Sequence, residues 1–187
     1  LRRWGAGGER GRVFQDVREP GGGYERGAQV LALIGFLGLS LLVQCAAVGV
    51  VGNGIVHWYL SLRRPPLTLP AGSFIIVWTL ADGLLGVSAW LLWRRVDPWR
   101  PSARPALRLW GWQIGLIAAW APTFFGLRAP AAALGVMVAL LAISIATVFA
   151  FCRRNPFAGA LLLPSLLWLC YAAYLNLGFW WLNPGVG

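Results

Sequence analysis

WYLSLRRPPLTLPAGSFIIVWTLADGLLGVSAWLLW, Trp58 to Trp93, decides the fold. A short Pro-rich basic loop runs straight into an apolar, aromatic-rich segment, Ser73 to Trp93, that carries one acidic residue, Asp82, near its middle. Crossing about 30 Å of hydrocarbon takes roughly 20 helical residues at 1.5 Å each, and this segment has that length. Four further runs of the same kind surround it: Ala28–Val51, Ala106–Leu127, Ala131–Cys152 and Pro156–Trp181. A backbone polar group left unpaired in lipid costs several kcal/mol, so such runs must be helices or barrel strands, and their unbroken apolarity excludes the alternation of a barrel. The sequence therefore predicts an all-α integral membrane bundle of five transmembrane helices over residues 28–183. Short breaks make consecutive helices antiparallel neighbours. Pro122 and Pro164 fall inside the third and fifth runs, where each removes a backbone hydrogen bond and either kinks its helix or is tolerated as membrane helices tolerate proline.

Composition points the same way. Hydrophobic residues make up 58% of the 187 residues, more than one soluble core of this size needs. The formal charge of +10 comes wholly from arginine, since the chain has no lysine. No RNA-recognition, helix-turn-helix or zinc-finger pattern accompanies it, so nucleic acid is not an expected partner. Membrane orientation accounts for the charge instead: thirteen arginines fall on the amino-terminal side of the five runs and three, Arg63, Arg64 and Arg128, on the other. The positive-inside rule then puts the amino terminus in the cytoplasm and the loop Gly52–Gly72 on the outer face. Residues 1–27 are rich in Gly and Arg with no apolar period and no signal-peptide core, and are expected to be a disordered tail.

Cys45, Cys152 and Cys170 lie in or at the ends of apolar runs without paired spacing and read as small apolar fillers. His57 has no second ligand nearby in sequence, so no metal site is expected. Gly135, Ala139, Ala142 and Ala146 recur at spacings of three and four in the fourth run, either as a homodimer face or as an internal packing seam.

Helical periodicity gathers Trp78, Asp82, Leu85, Gly86 and Ala89 on one face of the second run. It gathers Trp110, Gln113, Ile117, Trp120 and Phe124 in the third, and Pro164, Trp168, Tyr171, Ala172, Leu175 and Phe179 in the fifth. Large aromatics alternating with Gly and Ala leave a flat slot with π-faces for walls, or else let the helices pack closely. Asp82 costs about 2.5 to 3.5 kcal/mol at a helix centre on insertion scales and so should face inward. Gln113, Tyr174 and Asn176 are its candidate partners. An interhelical hydrogen bond, contact with a ligand's polar group, and proton relay all remain open as its role.

The opening stretch resembles the loop-to-second-helix signature of the TspO/translocator protein family, roughly WYxxLxKPxWxPPxxxFxxVWTxLYxxMGxAxWLVW. The matching residues are Trp58, Tyr59, Leu62, Pro65, Pro70, Phe74, Val77, Trp78, Thr79, Gly86, Ala89 and Trp90. WAPTFFG at Trp120–Gly126 is similar to the family's WSPxFFG, and Asn155–Asn183 is similar to its fifth-helix pattern SPxAxxLLxPYLxWxxFAxxLNxxxWxxN. The resemblance covers most of residues 52–183. It implies a membrane receptor for flat, hydrophobic molecules such as porphyrins or haem, with membrane lipid around it and no required cofactor. It also implies a pocket among helices 1, 2, 3 and 5 beneath the loop after helix 1. Carried over position by position, Trp78, Trp120, Trp168, Ala172 and Leu175 would line that pocket, with Tyr59 and Pro70 in its lid. Asp82 and Phe124 join them from the helix faces described above.

The sequence also departs from the family pattern. The loop tryptophan falls on Leu67, the first proline of the PP pair on Leu69, the second-helix tyrosine on Asp82, the third-helix asparagine on Ile117, the fourth-helix aspartate on Val136 and the tyrosine after the fifth-helix proline on Ser165. No basic residue follows Arg154, so no sterol preference is implied. The leading expectation is a multi-pass protein of a bacterial cytoplasmic membrane that binds tetrapyrroles for sensing or transport. The alternative is an enzyme, since light-dependent porphyrin degradation proposed for the family would use Trp78, Trp120 or Trp168 as redox partners. No acid–base pair, nucleophile or cofactor motif supports ordinary catalysis. An odd helix count without a visible inverted repeat does not suit a two-half carrier.

Overall fold

The computed structural model describes residues 26–50, 53–95 and 104–186, and all of its regular structure is helical. The elements are α1 (Arg26–Val50), α2 (Asn53–Ser61), α3 (Ala71–Arg95), α4 (Arg104–Ala121), a π-helical turn (Pro122–Gly126), α5 (Pro130–Cys152), α6 (Pro156–Ala160) and α7 (Leu163–Leu182). Of the tail expected over 1–27, residues 1–25 lie outside the described residues, as do Arg100 and Ser102, while Arg26 and Gly27 open α1.

Four segments are long and apolar enough to cross a membrane: Arg26–Ala47, Gly72–Arg94, Pro130–Cys152 and Pro156–Leu182. The fifth expected span is not among them. Its helix, α4, has only 18 residues and carries Arg104, Arg108, Gln113 and three tryptophans, which dilute its apolarity. Leucines and isoleucines such as Leu31, Leu42, Ile76, Leu80 and Leu167 stand exposed on the outside of the bundle. An apolar outer surface on that scale is what lipid would cover.

The long helices form a ring in which α1 packs on α3, α3 on α6 and α7, α7 on α5, α5 on α4, and α4 back on α1. The expected pairing of consecutive helices therefore fails once: α3 and α4 do not pack closely against each other. They face one another across a gap that tryptophan side chains bridge. Elsewhere small residues allow close approach. A Cβ at Gly86 would lie 3.0 Å from the Phe36 carbonyl oxygen, so the α1–α3 crossing depends on that glycine. Polar side chains fasten the helices where α1, α3 and α6 meet: Ser88 Oγ donates to Ala158 O at 2.6 Å, Asn155 caps α6 at Ala158 N, and Trp90 Nε1 donates to Gln29 O at 2.9 Å.

Both interior prolines leave a mark. Pro122 lacks the N–H that would continue α4, and the backbone widens into the π-turn closed by Leu127 N to Pro122 O at 2.9 Å. Pro164 sits in the first turn of α7, just after a two-residue turn at Leu161–Leu162 that separates it from α6. The stretch Gly52–Gly72, expected to be loop, contains α2. Cys45 and Cys170 are exposed and Cys152 is half-buried, so only the last fills space between helices. In α5 Gly135, Ala139 and Ala142 are exposed and Ala146 half-buried, which places the small-residue series on the outer face and not in an internal seam.

Candidate functional site

A cavity of about 570 Å³ occupies the gap between α3 and α4. That size falls within the range of about 300–1,000 Å³ usual for small-molecule sites. Phe74, Ile75 and Trp78 reach it from α3, Ile117, Trp120 and Ala121 from α4, and Phe124 and Phe125 from the π-turn. Ala172, Leu175, Asn176 and Phe179 come from α7, and Gln44 and Ala47 from α1. Tyr59, Leu60, Arg64, Leu69 and Pro70 cover it from α2 and the loop beyond.

Aromatic rings make most of the wall. Trp78 and Trp120 stack across the gap with centroids 5.7 Å apart at 27°, and Trp120 stacks in turn on Phe124 at 5.6 Å and 29°. Each such pair is worth about 0.5–1.5 kcal/mol beyond area burial. The π-turn shifts the register of the chain so that Phe124 and Phe125, consecutive in sequence, both line the cavity. Above them Trp58 meets Phe124 edge-on at 6.0 Å, and Tyr59 lies between Phe125 and Phe179 at 5.7 and 5.3 Å. Burial holds the Tyr59 phenol above its ordinary pKa, with the Arg64 charge acting in the opposite direction.

Asn176 locks the wall in place. Its side-chain oxygen accepts from Trp120 Nε1 at 2.9 Å and its nitrogen donates to Pro130 O at 2.8 Å, joining α7 to α4 and to the start of α5. Burial is almost complete at 1% exposure, so both bonds are shielded from competing water.

The covering loop is strapped to α7. Tyr171 Oη donates to Leu67 O at 2.7 Å and accepts from Leu69 N at 3.3 Å, and Tyr174 Oη donates to Pro66 O at 3.0 Å. Asn183 brackets Arg63 by accepting from its N–H at 2.8 Å and donating to its carbonyl at 3.0 Å. Gly178 supplies the close approach: a Cβ there would meet the Pro65 Cβ at 2.6 Å. Leu67, at the place of the family's loop tryptophan, is 81% exposed with φ of 61°, the left-handed conformation that the Tyr171 bonds hold.

Behind the main cavity lies a second, tiny chamber of about 10 Å³, bordered by Trp78, Ala81, Asp82, Leu85, Gln113, Ile117, Ser165, Trp168 and Leu169. Trp78 and Ile117 face both spaces. Four of the bordering residues carry a buried polar atom without a hydrogen-bond partner among the described residues: Trp78 Nε1, Asp82 Oδ2, Gln113 Oε1 and Trp168 Nε1. Ser165 Oγ, by contrast, is bonded, donating to Ala81 O at 3.0 Å.

Of the nine residues singled out from sequence, Tyr59, Pro70, Trp78, Trp120, Phe124, Ala172 and Leu175 line the main cavity. Asp82 and Trp168 do not. They border the inner chamber, with Asp82 2% exposed. Two of the three partners anticipated for Asp82 are engaged elsewhere, Tyr174 with the loop and Asn176 with Trp120 and Pro130, while Gln113 shares its chamber. Sequence reasoning missed Gln44, Ala47, Leu60, Arg64, Ile75, Ala121 and Phe125. The first two lie on α1, where a nearly uniform apolar run shows no face, and Phe125 needs the π-turn to be seen. Arg64 was legible only as a topology charge.

Residues 36–182 match the TspO/MBR family. The chain is 33% identical to the translocator protein of Sus scrofa over 136 residues, covering 73% of this chain and 80% of the relative. It is 32% identical to protein CrtK of Rhodobacter capsulatus over 148 residues, covering 76% and 90% respectively. To the tryptophan-rich protein TspO of Chlorobaculum tepidum it is 31% identical over 160 residues, covering 83% and 98%.

Proposed function

The chain belongs to the TspO/MBR family, and from that premise we propose that it binds a flat, hydrophobic tetrapyrrole, porphyrin or haem, in the α3–α4 cavity and senses or moves it within a membrane. The observation that carries this reading is the cavity wall itself. Trp78, Trp120 and Phe124 form a continuous run of stacked rings in a space of ligand size, which suits a planar aromatic body better than a compact solute. Titration of the purified protein in lipid nanodiscs with protoporphyrin should quench tryptophan emission to a saturable end point near one ligand per chain. Linear, non-saturating quenching would mean partition into lipid and would overturn the reading.

The same stacked pair favours a second reading, in which light-excited porphyrin takes one electron from Trp78 or Trp120, the reduced porphyrin passes it to dioxygen, and the reduced oxygen species so formed cleaves the porphyrin ring. Loss of bound porphyrin under light, absent in the dark and abolished when both residues are phenylalanine, would select it over binding alone.

For the membrane arrangement, α4 together with the π-turn provides the fifth crossing, since Arg104–Gly126 adds the apolar residues that α4 alone lacks. The amino terminus is then cytoplasmic, and the membrane a bacterial cytoplasmic one. Ser61→Cys should react with an impermeant maleimide from outside and Ser102→Cys only after permeabilisation. The reverse pattern would invert the topology.

A further inference from the structure

We infer that Arg64 is a carboxylate-reading subsite of the main cavity, so that the bound molecule is a flat apolar body bearing an anionic group. This rests on the cavity being the ligand site.

Arg64 contributes the only cationic side chain among the residues that line the cavity, whose other walls are mostly hydrocarbon and aromatic. Among the described residues Asp82 is the sole carboxylate, and it is buried at the inner chamber and does not line the main cavity. The described protein therefore offers Arg64 no counter-ion. Its guanidinium carbon rests 5.8 Å from the centroid of the Tyr59 ring, itself part of the lining. Because the Tyr59 phenol is held above its ordinary pKa, it stays neutral and does not supply the missing charge.

The position of Arg64 is set, not adventitious. Asn183 holds the backbone of Arg63 at both its N–H and its carbonyl, and Pro65 is seated against Gly178. A loop fastened on both sides of one residue fixes where that residue's side chain leaves the backbone, and here the guanidinium comes to rest over the Tyr59 ring. A planar guanidinium offers paired donors that match a carboxylate, and a charge-assisted bond beside a low-dielectric wall is stronger than the same bond in water. Arg64 is exposed while also lining the cavity, so it stands at the cavity's edge. The ligand's apolar body would then lie inward on Trp78 and Trp120, with its acid at Arg64.

A lipid phosphate has the same anionic chemistry and can also be reached by an interfacial arginine. The experiment separates the two. Protoporphyrin and its dimethyl ester are titrated against the wild type, Arg64→Gln and Arg64→Lys, in phosphate-free maltoside micelles and in phosphatidylglycerol nanodiscs. Arg64→Gln should weaken diacid binding about tenfold while leaving the ester within about twofold, and Arg64→Lys should keep most of the preference. Raised salt should weaken the diacid and not the ester in the wild type, a comparison that needs no variant. A wild type that binds diacid and ester alike, or an Arg64→Gln protein that keeps the preference, overturns the assignment. So does a preference present in micelles and lost in phosphatidylglycerol, which would give Arg64 to lipid. Saturable binding by neither probe would remove the cavity reading itself and this inference with it.

Discussion

The covering loop and the inner chamber both border the main cavity, yet they treat polar groups in opposite ways. Between Arg63 and Leu69 five backbone groups of the loop, the N–H and carbonyl of Arg63, the carbonyls of Pro66 and Leu67 and the N–H of Leu69, are bonded by Tyr171 and Tyr174 of α7 and by Asn183 at its end. In the chamber Trp78, Asp82, Gln113 and Trp168 each keep a polar atom without a partner among the described residues. A loop of prolines and a strained Leu67 needs external fastening to hold one shape, and α7 provides it. The chamber is held by the packing of large rings around it, so its polar atoms are left to packing geometry and not chosen for bonding. A fastened lid defines the cavity's shape, whereas the chamber, with its unpartnered polar atoms, is expected to accept a change in chemistry without loss of shape.

The largest effect should come from breaking the lid seam. Gly178→Val puts a branched side chain where even a Cβ would lie 2.6 Å from Pro65, and the ring of a proline held in a fastened loop cannot swing aside. Overpacking of this kind costs about 1–3 kcal/mol, and porphyrin affinity should fall with it because Leu69 and Pro70 move away from the cavity. Thermal unfolding and titration on the same nanodisc preparation check both. A Gly178→Val protein with unaltered melting and affinity would mean that the loop is not seated on α7.

A smaller effect of opposite sign is expected in the chamber. Asp82→Asn keeps the size of the side chain and removes the ionisable charge of a buried carboxyl that the surroundings do not satisfy, so stability should rise by roughly 1 kcal/mol or less. Porphyrin affinity should change little, since Asp82 does not line the main cavity. A fall in stability would show that the carboxyl is bonded after all and would erase the contrast between the two regions.

Much of this arrangement was legible beforehand, and the misses have physical causes. Runs of about 20 apolar residues announce helices because lipid leaves the backbone no other way to pair. Seven of the nine residues singled out line the cavity because periodicity and the family pattern both report which way a helix face points. Neither says which of two neighbouring compartments a face meets. Trp168 lies on the same face as Ala172 but about one turn away, and that step carries it from the main cavity into the chamber. The α2 helix escaped notice because NGIVHWYLS is short, starts beside Gly52 and ends near two prolines. Pro122 announced an interruption, but a kink and a π-turn read alike in sequence, and only the π-turn brings Phe124 and Phe125 to the wall together. Tyr174 was one of the candidate partners offered to Asp82 from a neighbouring helix, although its place three residues after Tyr171 puts it on the lid seam. Gly178 carried no signal, because the need for it arises from Pro65, more than a hundred residues earlier.

The central claim is that the ligand lies against the stacked rings of α3 and α4 beneath the strapped loop. Protoporphyrin titration of Trp120→Phe and Trp181→Phe in parallel tests it most directly, since Trp120 is in the wall and Trp181, 75% exposed, stands outside the bundle. Exchanging the indole for a smaller ring removes part of a stacking contact worth about 0.5–1.5 kcal/mol, so Trp120→Phe should weaken binding several-fold and Trp181→Phe should leave it unchanged. Equal effects of the two substitutions, or a larger effect at Trp181, would contradict the account.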